Sequence, residues 1–259
     1  MRRILLLVSC LTASAALAQN MPKPDLYLVH EEIAKPSMMA GYESAGRDLL
    51  AVLTEKKVNS PTLTWTTFTT TDMHYIYLVH LDSFAALDNS NAEWNKAREA
   101  VGPTRWDDLT NRGNNTIQSY NESIVMFRPD LSYNPATPRV PMAERRFYRW
   151  DIYYLIPGKE KEAEQVAKDY AALFKQKNMN ESWNLYQGMI GNDLPVFIIS
   201  IPGRNETDLV TADQGINNTL GADIRALQAR AVALTRRFER HEGIIRPDLS
   251  YPAPASAAK

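Results

Sequence analysis

The hexapeptide Arg128-Pro129-Asp130-Leu131-Ser132-Tyr133 returns intact as Arg246-Pro247-Asp248-Leu249-Ser250-Tyr251, 118 residues later. A spacing of that size is a whole small domain, so the chain reads as one unit written twice and not as a solenoid of short repeats. Trp65 and Trp183, Leu109 and Leu227, and Tyr120 and Phe238 keep the same offset of 118. Further upstream Pro36, Glu43, Arg47 and Asp48 match Pro157, Glu164, Lys168 and Asp169 at an offset of 121. An insertion of three residues within 55–63 accounts for the change.

Each copy predicts strand, helix, two strands, helical segment, strand. In the second copy, residues 147–156 are rich in aromatic and β-branched side chains and stop at Pro157-Gly158. Residues 159–177 place Ala163, Val166, Ala167, Tyr170 and Phe174 on one helical face. Strands 182–190 and 194–201 flank a turn at Gly191-Asn192-Asp193. A helix capped by Asn218 or Thr219 carries the seam Leu220, Ile224, Leu227, Ala231, Leu234 and Phe238, and 243–246 forms a last short strand. The first copy follows suit: strand 26–33, helix 37–57, strands 62–70 and 75–81, helical segments 84–100 and 105–118, strand 123–127.

The order β-α-β-β-α-β is the ferredoxin-like arrangement, a four-stranded antiparallel sheet with both helices on one face. Residues 75–79 and 196–199 are unbroken apolar runs, which is how strands buried on both faces read. The expected fold is therefore α+β: two tandem ferredoxin-like units, 25–133 and 146–251, whose open sheet faces shelter each other as an intramolecular pseudo-dimer. The proline-bearing stretch 134–145 is the linker, and 252–259 is a disordered tail.

Residues 1–18 stand apart. Arg2 and Arg3 precede an apolar stretch too short to span a bilayer, and Ala16-Leu17-Ala18 has the small-x-small pattern of a cleavage site. A signal peptide cut after Ala18, with a periplasmic or secreted product and no stable membrane insertion, is expected. A lipoprotein-like box at Leu7-Val8-Ser9-Cys10 is the alternative, with a greasy core shorter than such signals carry. Cys10 is the only cysteine, so cleavage excludes disulfides and thiolate chemistry from the mature chain. Losing Arg2 and Arg3 leaves 27 basic residues against 30 acidic, with no basic stripe, and nucleic-acid binding is not expected.

The opening strands before Pro36 and Pro157, the helices carrying Glu43 and Glu164, the strand pairs after Trp65 and Trp183, and Phe84-Ala85-Ala86-Leu87 together resemble the dimeric α+β barrel superfamily. The likeness is to its tandem-repeat members and to NIPSNAP-like sequences. The resemblance implies a range of activities: cofactor-free oxygenases of aromatic compounds, haem enzymes, small-molecule isomerases and non-catalytic members. Haem-binding relatives carry an axial His on a helix of the second half. The helix 220–240 has none before His241, and 84–118 has none at all, so no haem, and no other cofactor, is expected.

Features shared by both copies serve the fold first, and features of one copy are freer to serve a site. On that ground the two hexapeptides are structural, with Pro ending the strand and Asp capping a turn. Arg128 and Arg246 have a second reading as paired carboxylate binders. Trp65 and Trp183 read as core anchors. The four histidines have no counterparts across the copies. His30 and His80 fall in strands and are expected on one face of the first sheet, where an imidazole on an apolar wall is a general base near neutral pH. The competing reading is a hydrogen-bonded core histidine beside Tyr27, Tyr75 or Glu31. His74 and His241 are expected in solvent. No pair has metal-ligand spacing, and no Gly-x-Ser-x-Gly elbow or glycine-rich phosphate loop occurs.

The leading expectation is an exported module that binds a small hydrophobic or aromatic molecule, or serves assembly, with Trp65, Tyr75, Tyr77, Trp183, Arg128 and Arg246 as its ligand-contacting side chains. The alternative is a cofactor-independent monooxygenase or isomerase with His30 or His80 as base. Whether chains associate further is left open by the sequence.

Overall fold

The computed structural model describes residues 25–58 and 60–251. The expected leader, the box at Cys10 and the expected tail after Tyr251 lie outside the described residues. In chain order the first half runs β1 (Leu26–Ala34), α1 (Met39–Glu55), β2 (Thr66–Thr70), β3 (His74–Leu81), α2 (Ala86–Val101), α3 (Pro103–Asn114) and β4 (Ile117–Phe127). The second half runs β5 (Phe147–Leu155), α4 (Glu160–Gln176), β6 (Asn184–Ile190), β7 (Val196–Gly203), α5 (Glu206–Ala233) and β8 (Thr235–Ile245).

The strands close into one antiparallel barrel in the order β1-β3-β2-β8-β5-β7-β6-β4. Each half supplies four neighbours, and two seams, β2–β8 and β4–β6, join them. The free sheet faces thus become a barrel lining, and the edges of the two sheets satisfy one another's backbone groups. Tyr27 meets Tyr186, and Phe68 meets Tyr148 and Trp150, edge to face inside it. The opposite faces carry the helices: Leu26 and Leu28 pack on Ala86 and Leu87 of α2, while Leu155, Leu185 and Phe197 pack on Ala163 and Val166 of α4. Gly243 lets the β2–β8 seam close, since a Cβ there would stand 2.3 Å from the Thr69 carbonyl oxygen.

Each hexapeptide belongs to the opposite half. Leu249, 2 % exposed, is buried with Tyr42 and Tyr75 of the first half, and Leu131, fully buried, packs with Leu155 and Leu185 of the second. Ser250 Oγ accepts the Thr67 amide and Ser132 Oγ accepts the Leu185 amide, both at 2.9 Å. Tyr251 bridges to Trp65 and Tyr133 to Trp183, and the two tyrosine hydroxyls donate to the carbonyls of Val58 and Met179. Asp130 and Asp248 sit within the turns Pro129–Leu131 and Pro247–Leu249, and each accepts two hydrogen bonds from its own arginine, Arg128 or Arg246.

Two elements depart from expectation. The helical seam expected to reach Phe238 ends at Ala233, and Phe238 lies in β8, 46 % exposed. The segment expected as helix to 118 ends at Asn114, and Tyr120 lies in β4. Long strands win here because β8 and β4 must each pair on both sides to close the barrel. Helix α5 starts upstream of Asn218, at an N-cap formed by Asn205, whose side chain accepts the Asp208 amide. It bends at Gly221, where φ 51° and ψ −117° are open to glycine alone.

Candidate functional site

The parity of β5 sends Arg149, Asp151, Tyr153 and Leu155 to the helix side of its sheet. There they line a cavity of about 380 Å³ between β5–β7 and helices α4 and α5. Its wall is largely apolar: Val166, Phe174, Phe197, Ile199 and Ile224 contribute, with Trp183 beside them. A concave apolar space of this size with a few polar groups is the usual form of a small-molecule site.

Its charged centre is two interlocked ion pairs, and Glu181, Ser182, Asn217, Gln228 and Thr235 add further polar groups to the lining. Arg149 and Asp151 are each 6 % exposed. The Arg149 guanidinium donates from Nη1 and Nη2 to Asp213 on α5, at 2.6 and 2.9 Å. Asp151 accepts from Nε and Nη2 of Arg240 on β8, at 2.7 and 3.0 Å. Arg149 Nε lies 3.8 Å from Asp151 Oδ1 and has no hydrogen-bond acceptor. Buried charges are tolerated when paired in this way. Burial, with the nearby Asp151 charge, pushes the Tyr153 phenol up to about 12 and raises Tyr170 further. Both phenols therefore stay protonated at neutral pH.

Of the candidate site residues named from the sequence, Trp183 alone lines this cavity, beside helix-face residues such as Val166 and Phe174 that were read as core. Arg128 is engaged by Asp130, Glu164 and Gln187, and Arg246 by Asp248 and Glu43. Trp65 packs on Tyr251 and Trp94 and donates Nε1–H to the Leu249 carbonyl. Tyr75 and Tyr77 surround Tyr42 on the helix side of the first sheet, and Tyr42 is hydrogen-bonded to Tyr77 and Glu32. That network stands where the second half has its cavity.

His30 and His80 do not share a face. In the β1–β3 register His30 opposes Tyr77 while His80 opposes Tyr27, so their parities differ. His30 is held by Glu32 and Glu122, at 3.0 and 2.9 Å, and leans on Tyr77 and Tyr120. His80 is half-exposed beside Asp25. Neither lines the cavity. His74 and His241, expected in solvent, are partly buried and approach each other past the end of β2, from β3 and β8, ring centroids 5.8 Å apart.

The sequence reading missed Arg149, Asp151, Asp213 and Arg240, and took Tyr170 only as part of a helix's apolar face. The signal lay in the repeat itself: the offset of 121 sets Leu28 against Arg149 and His30 against Asp151, positions where the copies disagree in kind.

Among the described residues no group of three or more His, Cys, Asp or Glu side chains could hold a metal ion, and no helix is long and apolar enough to cross a membrane. The fold resemblance implies haem, whose iron this cavity wall would have to ligate. It offers no imidazole, thiol or thioether. Its carboxylates Asp151, Asp213 and Glu181 are taken by Arg240, Arg149 and Arg139, and its phenols are held protonated. These residues do not fit a haem iron.

The architecture is that of the dimeric α+β barrels, with both barrel halves in one chain. An anthrone oxidase-like protein is similar over 87 % of this chain and 92 % of its own, with a TM-score of 0.57 and 10 % identity. A monooxygenase candidate from Fusobacterium nucleatum is similar over 90 % of this chain and 100 % of its own, at TM-score 0.57 and 11 % identity. A chlorite dismutase variant from Candidatus Nitrospira defluvii follows at TM-score 0.52 and 10 % identity, over 86 % of this chain and 92 % of its own. Likeness at this identity is likeness of fold. No protein-family model and no curated sequence matches the chain.

Proposed function

We propose that this protein binds a small, largely apolar or aromatic molecule in the cavity between β5–β7 and helices α4 and α5. The observation that carries the reading is the cavity itself: about 380 Å³ of mostly hydrophobic space around a buried Arg149–Asp151 wall. A stretch of core with only a structural task fills its volume with side chains, as the tyrosine network of the first half does. The kinship with NIPSNAP-like sequences, and export to the periplasm or beyond, belong to the same proposal. They rest on the residues quoted above and on the leader-like 1–18. The test is titration of the purified protein with bicyclic and tricyclic aromatics, read by Trp183 fluorescence and thermal shift, against Ala167→Phe, which fills the space. Binding by the parent and none by the variant supports the reading; no binding by either overturns it.

A second reading is favoured by one observation, a buried carboxylate on an apolar wall. Asp151, the most buried of the carboxylates quoted for this wall, would take a proton from a bound molecule by giving up a hydrogen bond from Arg240, and a cofactor-independent monooxygenase or isomerase would use it so. The fold shared with an anthrone oxidase-like protein supports trying anthrone as a probe. Oxygen uptake or isomerisation that disappears in Asp151→Asn, with binding retained, is the expected outcome of this second reading.

A further inference from the structure

The barrel is sealed along only part of two of its strands. β4 pairs with β1 from Met126 opposite Leu26 to Ile117 opposite Ala34, but with β6 only from Phe127 to Ile124. β8 likewise pairs with β5 from Ile244 to Thr235, and with β2 only from Ile245 to Gly243. The Phe127 amide donates to the Asp25 carbonyl on the β1 side and the Arg128 amide to the Leu185 carbonyl on the β6 side. Backbone direction alternates along a strand, so the even-numbered residues of β4 turn their N–H and C=O groups toward β6. At Tyr120 no strand meets them among the described residues. The Arg246 amide, donating to the Thr67 carbonyl, sets the same parity in β8, and Phe238 and Arg240 stand in the same situation.

Each copy thus has one open strand edge, centred on Tyr120 in the first and on Phe238 in the second, 118 residues apart. An open edge is a template for another strand, and proteins guard it with charge. Arg236, Arg237, Glu239 and Arg240 guard the second edge. The first reads Ile117-Gln118-Ser119-Tyr120-Asn121, with no charge in it; Gln118 to Asn121 are exposed, Tyr120 by 69 %. The free stretch stops before Glu122, where the β6–β7 turn arrives: a Cβ on Gly191 would stand 2.3 Å from the Glu122 carbonyl oxygen.

We propose that this edge of β4 is the docking site for the same edge of a second copy, the two running antiparallel about Ser119. Such a contact is isologous and closes as a two-fold dimer. It sets Gln118 opposite Tyr120 and Ile117 opposite Asn121, each pair occurring twice, so no like charges meet and the Tyr120 backbone gains partners. Two β8 edges paired about Phe238 would set Arg236 against Arg240 twice, which opposes pairing. A β4 edge on a β8 edge would be head-to-tail and would not close on itself as a pair, and Arg236 and Arg240 are already drawn to Asp193 and Asp151 of their own chain.

Sedimentation velocity of the whole protein over a series of concentrations tests this. The expected result is a reversible monomer–dimer equilibrium, weak because so short an edge makes a small contact. Ser119→Arg/Asn121→Glu installs what the second copy carries at Arg237 and Glu239, and should weaken dimerisation by at least about tenfold while keeping the melting temperature. Ser119→Lys is the milder form of the same change, should the double variant melt early. Phe238→Lys, on the guarded edge, should leave the dimer as it is. In hydrogen exchange, the Tyr120 amide of the parent should exchange more slowly in concentrated than in dilute solution. A parent that stays monomeric up to about 1 mM overturns the inference, and slow Tyr120 exchange in that monomer would identify a segment of the chain itself as the cover. A dimer lost in Phe238→Lys, or kept in the Ser119 variants, or a Tyr120 amide indifferent to concentration, overturns it as well.

Discussion

Arg246, at the end of the last strand, donates to Glu43 on α1 through Nη1 and Nη2 at 2.6 and 2.9 Å, while Arg128 donates to Glu164 on α4 at 2.9 Å. The pair of contacts repeats at the offsets already present in the sequence. Each arginine closes the tail of one half onto a helix of the other, so the hexapeptides act as reciprocal clasps.

The Arg246 hydrogen bonds, against an opposing cost of burial, hold the Glu43 carboxyl down at about 2, from an ordinary 4.5. Asp248 is held at about 2 by the same arginine. A depressed carboxylate contributes stability that is complete above its unfolded value and is lost as pH falls toward the folded one. Glu43→Gln is expected to cost about 1 kcal/mol at pH 7, kept modest because Arg47 and Asp248 on the outer side stand in solvent. Urea titrations at pH 7 and pH 3 should show the gap between parent and variant shrinking at the lower pH.

His30 has the opposite sign. Burial resists charging of its imidazole, and the hydrogen bonds and charges of Glu32, then Glu122, outweigh that resistance, so its pKa is raised from 6.5. The contribution of the charged pair is complete below about 6.5 and fades as pH climbs through the raised value. His30→Gln should destabilise clearly at pH 6 and little at pH 9. A parent imidazole that titrates below 6.5 by NMR would contradict this account.

Gly243 and Gly215 make a contrasting pair. Alanine at 243 would press its Cβ on the Thr69 backbone, whereas 215 sits in α5 with nothing within 4 Å. Gly243→Ala is expected to lose about 1–3 kcal/mol and to speed amide exchange in β2. Gly215→Ala is expected to gain about 0.5–1 kcal/mol from helix propensity.

Asp213→Ala leaves Arg149 buried without its bidentate partner. Breaking one side of such a pair costs about 3 kcal/mol. The double variant Arg149→Met/Asp213→Ala should recover most of that loss in chemical denaturation, because no charge is then stranded.

The fold was largely legible because the copies agree at residues that build it, from Pro36 and Pro157 to the hexapeptides. Helix ends were less so. Tyr120 and Phe238 extend a three-and-four spacing, and the charged residues Arg236, Arg237, Glu239 and Arg240 imitate the polar face of a helix. Only pairing with strands far away in sequence decides them. The cavity was hidden for a related reason. Arg149 and Asp151 alternate with aromatics as solvent-facing residues would, and their partners Asp213 and Arg240 lie 64 and 89 positions along the chain.

The crossing of the tails has a consequence for how the molecule can be taken apart. Leu249 completes the interior of the first half and Leu131 that of the second. A nick in the linker between the halves, near residues 135–140, would sever the polypeptide yet leave two fragments each still gripping the other. Expressed as separate pieces, 25–135 and 140–251 should each be unable to hold a finished interior and should regain one on mixing, in a one-to-one complex.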